Sequence, residues 1–419
     1  MADGDYIASV DIGSSKVVVL IADRLDDGLL EVVGHAKGVS KGVRRGEIVD
    51  VDALVSVIKT VANKAGKSCN SEFDSVIVNI SDPNLRVFNL TPNKHVDSDL
   101  VKKSDVEALM RTAEAQRFKE TEQRISSITH HYILDKDSDT EQGVVVKRPI
   151  GEQADMLEAS VHIVVAAKQR VKNIERSLGL CGFQAQKLVI NSMASSEPYL
   201  TPVQKDDGVC LVDVGAGVVD LSVFKQGRIF YSTAIQVGAE QVTWDIANAF
   251  NAPFAEAERL KLEHGQAQVK TLERDMLIDF RQNDDVADYC LSHESLIEVI
   301  EESYKALLLS IKKKIQEEDR NLYRSIKGFV FVGGGVKIEG YADLAFDCLK
   351  KRVRVGRVNR EVIRLNPNSV SSNENLLAPE YACALGLLLF NDEELGYKEE
   401  QLVNKGGIKS AFKNLMSSF

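Results

Sequence analysis

The chain has 419 residues, of which 44% are hydrophobic and 27% carry a charge. This composition is typical of a globular protein of about three domains, and it excludes collagen-like, mucin-like and wholly disordered chains. Because the net charge is −10, we predict no nucleic-acid partner.

The cysteines and the apolar segments indicate where the protein works. Its six cysteines form neither a CxxC pair nor the spacing of a zinc site, which favours reduced thiols in a reducing compartment. The start at 1–5 is acidic, unlike the basic start of a secretory signal. The longest apolar run, at 382–390, is far shorter than the ~20 residues that cross a bilayer. We therefore predict a protein that neither spans a membrane nor is secreted.

Strand and helix signals alternate along the chain, which predicts an α/β fold. Apolar runs at 6–10, 17–21 and 29–33 predict three consecutive strands. The motif DIGSSK at 11–16 supplies the turn between the first two. This hairpin is the first unit of a pattern that the chain uses twice.

The same pattern returns about two hundred residues later. Strands are predicted at 209–212, 218–224 and 228–231, and the turn DVGAG at 213–217 joins the first two. A unit that recurs once at this distance predicts two related domains rather than a solenoid.

Other segments complete the predicted organisation. Residues 83–166 are more polar than their surroundings and read as an insertion, with a charged helix at 104–124. A second long helix is predicted at 294–320. The strand at 328–332 leads into three successive glycines.

The two Asp-x-Gly turns are candidates for a phosphate site. Consecutive amide groups in a tight turn bind phosphate oxygens, and glycine lets the backbone approach closely. Asp11 and Asp213, at the strand ends, suit Mg²⁺, which prefers oxygen ligands. We predict that both turns hold one phosphate chain, with a flat ligand or a sugar lying against the later glycines. The candidate residues are Gly13, Ser14, Ser15, Lys16, Gly215, Ala216, Gly217, Gly333, Gly334 and Gly335.

Ordinary hairpins also contain such turns, and their duplication is the argument against that alternative. Other nucleotide motifs fit less well. The segment at 66–68 imitates the end of a P-loop, but the first glycine of the motif would fall at Val61. Gly215 and Gly217 imitate a dinucleotide fingerprint, whose last glycine would fall at Asp220.

Three segments together resemble a known superfamily. DIGSSK (11–16), VDVGAGVVDLSVF (212–224) and FVFVGGG (329–335) are similar, in this order, to the phosphate-1, phosphate-2 and adenosine motifs of the actin, Hsp70 and sugar-kinase ATPases. Within that superfamily the chain most resembles the FtsA family of bacterial cell-division proteins, for example at 42–61 and 238–250. The resemblance covers nearly the whole chain.

The resemblance implies an α/β fold of two actin-like, ribonuclease-H-like domains with an FtsA-type insertion, subdomain 1C. It also implies that Glu258 and Lys261 reach the nucleoside of ATP. The implied parts are subdomain 1A at 1–82, 167–203 and 376–390, 1C at 83–166, 2A at 204–231 and 304–375, 2B at 232–303, an acidic linker at 391–404 and an amphipathic helix at 405–419.

The function that the resemblance implies is that of a membrane-attached cytoskeletal adaptor. Such a protein binds ATP and Mg²⁺, polymerises with itself and tethers the tubulin-like protein FtsZ to the cytoplasmic face of the inner membrane at the division septum. The FtsZ C-terminal tail would dock on subdomain 2B, near a turn at 301–304, where relatives often carry an arginine in place of Ser303. Later division proteins would dock on subdomain 1C.

Two departures from the superfamily motifs predict slow hydrolysis. Val218 stands where many phosphate-2 motifs have threonine. Ser192 aligns with a glutamate that orients the attacking water in chaperones and other bacterial actins. Because phosphoryl transfer needs an aligned nucleophile, we predict ATP binding with weak or negligible ATPase activity.

The last fifteen residues predict a helix that lies in the membrane surface. Five apolar side chains share an arc of about 100°, two lysines border it, and no acid occurs from 405 to 419. A terminal helix docked on the body is the alternative. One short helix binds anionic lipid reversibly, whereas a polymer binds tightly through many copies. The residues are Ile408, Lys409, Phe412, Lys413, Leu415, Met416 and Phe419.

Three other functions compete with the adaptor. A small-molecule kinase of the same fold needs a catalytic base near a sugar pocket, and the sequence offers no candidate. An Hsp70-type chaperone needs a peptide-binding domain beyond an ATPase body of this length. A pilus-assembly relative shares the fold, and the predicted membrane helix argues against it.

Overall fold

The computed structural model describes residues 6–25, 28–69, 73–136, 143–282, 288–366 and 375–390. The predicted acidic linker (391–404) and amphipathic helix (405–419) lie outside these residues. No helix in the described ranges is both long enough and apolar enough to cross a membrane. No disulfide joins any of the six cysteines, all of which lie among the described residues.

Twenty strands and eleven α-helices are described. The strands are β1 (Ile7–Ile12), β2 (Lys16–Arg24), β3 (Leu30–Val39), β4 (Val43–Arg44), β5 (Glu47–Ile48), β6 (Ser75–Ile80), β7 (Arg86–Leu90), β8 (Asn93–His95), β9 (Glu122–Leu134), β10 (Val144–Val146), β11 (Met156–Ala167), β12 (Gln184–Ile190), β13 (Val209–Val214), β14 (Val219–Lys225), β15 (Arg228–Ile235), β16 (Leu277–Arg281), β17 (Asp288–Ser292), β18 (Gly328–Val332), β19 (Arg352–Val355) and β20 (Ile363–Leu365). The helices are α1 (Val51–Cys69), α2 (Lys103–Glu114), α3 (Lys168–Cys181), α4 (Asn191–Tyr199), α5 (Pro202–Asp207), α6 (Glu240–Phe250), α7 (Phe254–His264), α8 (His293–Glu318), α9 (Arg320–Ser325), α10 (Tyr341–Leu349) and α11 (Ala382–Leu389).

Two large sheets have the same topology. In the first, β1, β2 and β3 form an antiparallel meander, and β6 and β12 add parallel strands beside β1. In the second, β13, β14 and β15 form the meander, and β18 and β19 add parallel strands beside β13. The first sheet carries one further strand, β20, beside β3. The duplication predicted from the two turns is therefore confirmed in the order and direction of five strands.

The central strands are apolar on both faces because helices cover both faces. β13 is buried along its whole length, and so are Val17 to Ala22 of β2. Helices α1 and α11 pack on the first sheet and α4 on the second, and α4 and α11 pack on each other. A Cβ at Gly386 would lie 1.8 Å from the carbonyl oxygen of Ala194. Only glycine therefore permits this close crossing of the two helices, which joins the two sheets.

The chain divides into two compact units. The first contains the described residues of Met1–Leu90, Glu114–Ser127 and Val161–Phe390, and the second contains those of Thr91–Ala113 and Ile128–Ser160. In the second unit, β8 pairs with the start of β11, β10 pairs with the end of β9, and α2 buries Val106, Leu109 and Ala113.

Two local predictions were wrong. The helix predicted at 104–124 ends at Glu114, and β9 begins at Glu122. The buried stripe of α2 ends at Ala113, and the next helical positions, Gln116 and Arg117, offer no apolar side chain to continue it. The turn predicted at 301–304 is part of the interior of α8, where Ser303 and Tyr304 are buried.

Candidate functional site

The two Asp-x-Gly turns have the same geometry. In each, the glycine N–H donates to the carbonyl oxygen three residues later, Gly13 to Lys16 and Gly215 to Val218, both at 2.9 Å. Each turn's aspartate pairs across its hairpin with the residue seven positions on, Val18 in the first hairpin and Asp220 in the second. The sequence repeat therefore reflects one backbone structure used twice.

Each turn leaves two successive amide groups without an acceptor. Among the described residues, no oxygen accepts a hydrogen bond from the backbone N–H of Ser14, Ser15, Ala216 or Gly217. Buried or half-buried N–H groups normally have partners, and Gly217 is buried. Four such donors on two facing turns form a ready anion site.

The two turns meet. A Cβ on Gly217 would lie 2.7 Å from Ser14 Oγ and 2.8 Å from the Cα of Arg45. The backbone N–H of Gly46 donates to the same Ser14 Oγ at 3.0 Å. The first turn, the second turn and the β4–β5 hairpin therefore close one end of a common cleft.

A single cleft of about 1200 Å³ brings together every residue predicted to bind the ligand or the metal. Its lining also includes residues that the sequence analysis left out. The predicted ones are Asp11, Gly13, Ser14, Ser15, Lys16, Asp213, Gly215, Ala216, Gly217, Glu258, Lys261, Gly333, Gly334 and Gly335, and the additional ones include Lys37, Gly46, Ser81, Asn191, Asp220 and Glu380.

The charge of Lys16 acts on the buried acids Asp11 and Asp213. Its Nζ donates to the carbonyl oxygen of Glu380 at 2.6 Å and lies 4.9 Å from the centre of the Tyr381 ring. Burial lowers the pKa of Lys16, and the charge of Asp11 opposes that shift. Lys16 is thus held inside the cleft rather than in solvent.

Three carboxyl groups are buried in the same cleft as Lys16. Burial raises the pKa of Asp213 to about 6, and Ser195 Oγ, which donates to Asp213 Oδ2 at 2.7 Å, opposes the rise. Burial also raises the pKa of Asp11, and it raises that of Asp220 well above its usual value. A site this rich in desolvated acid favours a bound cation.

Asp220 is not among the residues that the sequence predicts to bind the ligand or the metal. The structure places it in the cleft, directly across the hairpin from Asp213, where Ser81 Oγ donates to its Oδ1 at 2.9 Å. A cross-strand partner lies on the same face of the sheet as its neighbour, so pairing the two predicted strands across their turn could have identified Asp220.

Ser192, which the alignment matched to a water-orienting glutamate, does not line the cleft. Its Oγ lies 2.8 Å from Ser222 Oγ, which lies 2.8 Å from Ser232 Oγ, and all three hydroxyls are buried. The preceding residue, Asn191, lines the cleft instead and bonds Asn79. Helix α4 therefore presents an amide, without acid-base chemistry, to the cleft.

Glu258 and Lys261 lie on α7 and bond each other, at 2.7 Å between Oε2 and Nζ. Both also contact Thr243 on α6, whose Oγ1 is 2.5 Å from Glu258 and 2.7 Å from Lys261. The Glu258–Lys261 pair is thus held by α6 and α7, two helices of the segment 232–303.

The three glycines after β18 differ in what they permit. Gly333 has φ = +91°, and a Cβ there would lie 2.5 Å from Asp213 Oδ1. A Cβ on Gly335 would lie 2.6 Å from Val214 Cγ1. Nothing lies within 4 Å of a Cβ on Gly334. Packing thus explains two of the glycines, and only Gly334 faces open space in the cleft.

Comparison with known proteins gives one consistent family. The family model described as "Cell division protein FtsA" matches residues 210–386, and the one described as "SHS2 domain inserted in FTSA" matches 84–165. The Cell division protein FtsA of Pseudomonas aeruginosa is 30% identical over 92% of this chain and 89% of its own length. That of Escherichia coli K12 is 27% identical over 93% of this chain and 91% of its own length.

Solved structures agree with the fold. The PilM-PilN type IV pilus biogenesis complex matches with a TM-score of 0.63 at 17% identity, over 91% of this chain and 97% of the matched chain. The MreB5 of Spiroplasma citri bound to ADP matches with a TM-score of 0.54 at 13% identity, over 93% and 98%. The predicted actin-like fold with an inserted domain is therefore confirmed.

Proposed function

This chain belongs to the FtsA family of cell-division proteins, and from that premise we propose that it is an ATP-binding adaptor that polymerises on the membrane. In this proposal it binds ATP with Mg²⁺, assembles with itself on the cytoplasmic face of the inner membrane, and holds FtsZ filaments there at the division site. The observation that carries the nucleotide part is the pair of facing turns with four unbonded amide groups.

Different residues of the cleft would bind different parts of the nucleotide. The amide groups of Ser14, Ser15, Ala216 and Gly217 would bind phosphate oxygens. Gly334 would admit the flat part of the ligand against its backbone, because no protein atom fills the space above it. Glu258 and Lys261, already bonded to each other, would meet the nucleoside.

A divalent cation fits the acids of the same cleft. Asp11 and Asp213 are oxygen ligands of the kind Mg²⁺ prefers, and desolvation raises the pKa of both in the absence of a cation. Mg²⁺ bound there would neutralise charge on the carboxylates and on the phosphates. Ser195, bonded to Asp213 Oδ2, would orient the carboxylate.

Hydrolysis would be slow on this geometry. Asn191 is the residue that α4 presents to the cleft, and an amide cannot accept a proton from water at neutral pH. Val218, buried against the β4–β5 hairpin, has no hydroxyl to donate. The protein would therefore hold ATP as a structural ligand of its polymer.

Replacing Gly334 with alanine separates nucleotide binding from folding. We expect the free energy of unfolding to change by less than about 1 kcal/mol, because the new methyl group meets no protein atom within 4 Å. ATP affinity should fall by about tenfold or more, since the methyl group occupies the ligand's space. Calorimetric titration and denaturant unfolding measure the two quantities. The control is Gly335→Ala, which should lose stability, because its Cβ would lie 2.6 Å from Val214.

Two segments would connect the polymer to its partners. The apolar stripe and lysines of 405–419 would bind anionic lipid. The FtsZ tail would dock on 232–303, a segment in which Met276 and Leu277 are 53% and 71% exposed. Exposed apolar side chains of this size support a docking surface. Later division proteins would dock on 83–166.

One experiment tests the whole proposal. The full chain and a chain that ends at residue 404 are placed under a monolayer of anionic lipid with ATP and Mg²⁺ and imaged by electron microscopy. We expect filaments that bind the monolayer and recruit added FtsZ, with no filaments on lipid for the shortened chain. Equal coverage by both chains would refute membrane attachment through 405–419. Absence of filaments at every ATP concentration would refute polymerisation.

Replacing Phe412 with glutamate tests the lipid-binding stripe directly. Burial of a large apolar side chain is worth ~1.5–3 kcal/mol when complete, and a carboxylate at the same place would repel anionic lipid. We expect binding to anionic liposomes in a sedimentation assay to fall by about tenfold or more. Ser410→Glu lies off the apolar arc and should lose far less. Unchanged sedimentation of the Phe412 variant would contradict the proposal.

A further inference from the structure

The β4–β5 hairpin is packed against both phosphate turns. Its turn residues, Arg45 and Gly46, have φ values of +47° and +73°. The N–H of Gly46 donates to Ser14 Oγ at 3.0 Å, and a Cβ on Gly46 would lie 2.7 Å from Val218 Cγ2. The hairpin turn therefore cannot shift without disturbing the end of the cleft where the two phosphate turns meet.

Arg170, near the start of α3, contacts both Gly46 and Glu47 of this hairpin. Its Nη1 donates to the carbonyl oxygen of Gly46 at 3.0 Å, and its Nη2 lies 3.7 Å from Glu47 Oε2. Its Nε lies 3.3 Å from Asp82 Oδ1. The side chain is only 14% exposed. A planar guanidinium thus binds the hairpin and a buried carboxylate at the same time.

Asp82 ties two distant parts of the chain together. It is fully buried, its Oδ2 accepts from the N–H of Ala167 at 2.7 Å, and its Oδ1 accepts from the N–H of Asn84 at 2.9 Å. Residue 84 is the first of the segment that matches the inserted domain, 84–165, and residue 167 follows its last residue by two positions. Its neighbour Ser81 donates to Asp220 in the cleft at 2.9 Å.

We propose that Arg170 is a positioning residue of the nucleotide site, and that the Arg170–Asp82 pair couples occupancy of the phosphate turns to the two chain segments that flank the inserted domain. The proposal rests on the proposed binding of ATP. The links run from Ser14 to Gly46, from Gly46 to Arg170, and from Arg170 through Asp82 to Asn84 and Ala167.

Ser14 is the residue through which a bound ligand would connect to this series of bonds. Its hydroxyl accepts from Gly46 and keeps its own proton free to donate to a phosphate oxygen. A phosphate that fixes the hydroxyl also fixes the Gly46 amide, and Arg170 transmits that restraint because it is bonded on both sides. Coupling between two sites is reciprocal, so a partner that binds the inserted domain and shifts residue 84 or 167 would change the affinity for ATP.

A purely structural role for the pair predicts different results. A structural pair holds the fold equally with and without nucleotide, so its loss lowers stability and leaves no nucleotide-dependent change at residues 84 and 167. A coupling pair changes the response to ATP at those residues. Hydrogen exchange of their amide groups distinguishes the two roles.

The experiment measures amide exchange by mass spectrometry, with and without saturating ATP and Mg²⁺, in the wild type, Arg170→Gln, Arg170→Lys and Ser14→Ala. In the wild type we expect ATP to slow exchange several-fold in peptides that contain Gly46, Asn84 and Ala167. In Arg170→Gln the effect at Asn84 and Ala167 should be lost, and ATP affinity should fall about tenfold, within the usual range of coupling. Arg170→Lys should retain part of the ATP affinity and of the exchange response, because lysine keeps the positive charge but lacks the forked donor geometry of the guanidinium group.

Ser14→Ala leaves the Arg170–Asp82 pair intact. If the Arg170 variants do not fold, this variant still distinguishes coupling from a purely structural role. We expect it to lose the response at Asn84 and Ala167 at saturating ATP. Arg176→Gln, on the exposed side of the same helix, is the matched control and should behave as wild type.

A wild type that binds ATP without slower exchange at Asn84 and Ala167 overturns the coupling alone. A response that survives in Arg170→Gln or Ser14→Ala also overturns it. A wild type that binds no ATP overturns the proposed function itself.

Discussion

Replacing Gly217 with alanine is expected to reduce nucleotide affinity by about a hundredfold or more, because the added methyl group must displace the backbone. Its Cβ would lie 2.7 Å from Ser14 Oγ and 2.8 Å from the Cα of Arg45. The serine can rotate away, but the Arg45 backbone is held in a tight turn by Gly46 and its bonds. Overpacking of this kind costs ~1–3 kcal/mol or more, and it falls on the junction of the two phosphate turns.

Binding of a fluorescent ATP analogue measures this effect, and denaturant unfolding measures the accompanying loss of stability. The control is Gly179→Ala, in α3, where a Cβ meets nothing within 4 Å. That substitution should leave affinity unchanged and stabilise the helix by about 0.5–1 kcal/mol. An affinity of Gly217→Ala within twofold of wild type would contradict the closure of the turns on one ligand.

The sequence predicts the fold well because the information was local and repeated. Asp11-Ile12-Gly13 and Asp213-Val214-Gly215 each occur between apolar runs, and a tight turn between two strands follows directly from such a pattern. Because the strand–turn–strand unit occurs twice, the pattern would still have been recognised if one copy had been assigned wrongly. Both meanders are present in the structure, and so is the strand β18, which is the parallel neighbour of the second.

Side chains whose partners are distant in the sequence could not be predicted from local patterns. Arg170 lies far along the chain from Gly46 and Asp82, and nothing next to it in the sequence signals that it bonds both. The difference between Ser192 and Asn191 depends on the rotation of α4 by one residue, about 100°. A motif alignment without coordinates does not fix that rotation.

The helix boundary at Glu114 shows the same limit in secondary structure. Charged residues continue to Arg124, and the predicted helix extended over them. The apolar positions that a helix needs in order to pack end at Ala113, and the strand β9 begins at Glu122. Packing, rather than composition, sets where this helix ends.

Replacing Asp213 with asparagine is expected to remove binding of Mg²⁺ and ATP while stabilising the ligand-free protein at alkaline pH. The metal would lose a carboxylate ligand, so the affinity for ATP with Mg²⁺ should fall by about a hundredfold. Affinity of the wild type should itself fall as the pH drops below about 6, because burial raises the pKa of Asp213 to about 6 and the protonated form does not bind the cation. The variant should lack this component of the pH dependence.

The stability effect follows from the same pKa. Between 3.8 and about 6, the folded protein holds a proton on Asp213 that the unfolded chain has released. Wild-type stability therefore falls as the pH rises through this window and stays lowered above it, by roughly 3 kcal/mol for a shift of about two units. Asparagine carries no charge to desolvate, so the variant should be more stable than wild type at pH 8, and the gain should disappear near pH 4.

Denaturant unfolding at pH 4, 6 and 8, without nucleotide, tests this sign, and calorimetry with Mg²⁺ and ATP tests the binding. Asp207→Asn is the control, because that acid is 60% exposed and pairs with Lys327 at the surface, where an ion pair contributes at most about 1 kcal/mol. A stabilised variant that still binds Mg²⁺ and ATP as the wild type does would place the cation elsewhere in the cleft. A variant that is less stable at pH 8 would mean that the buried carboxylate is held by its bond to Ser195 more strongly than burial opposes it.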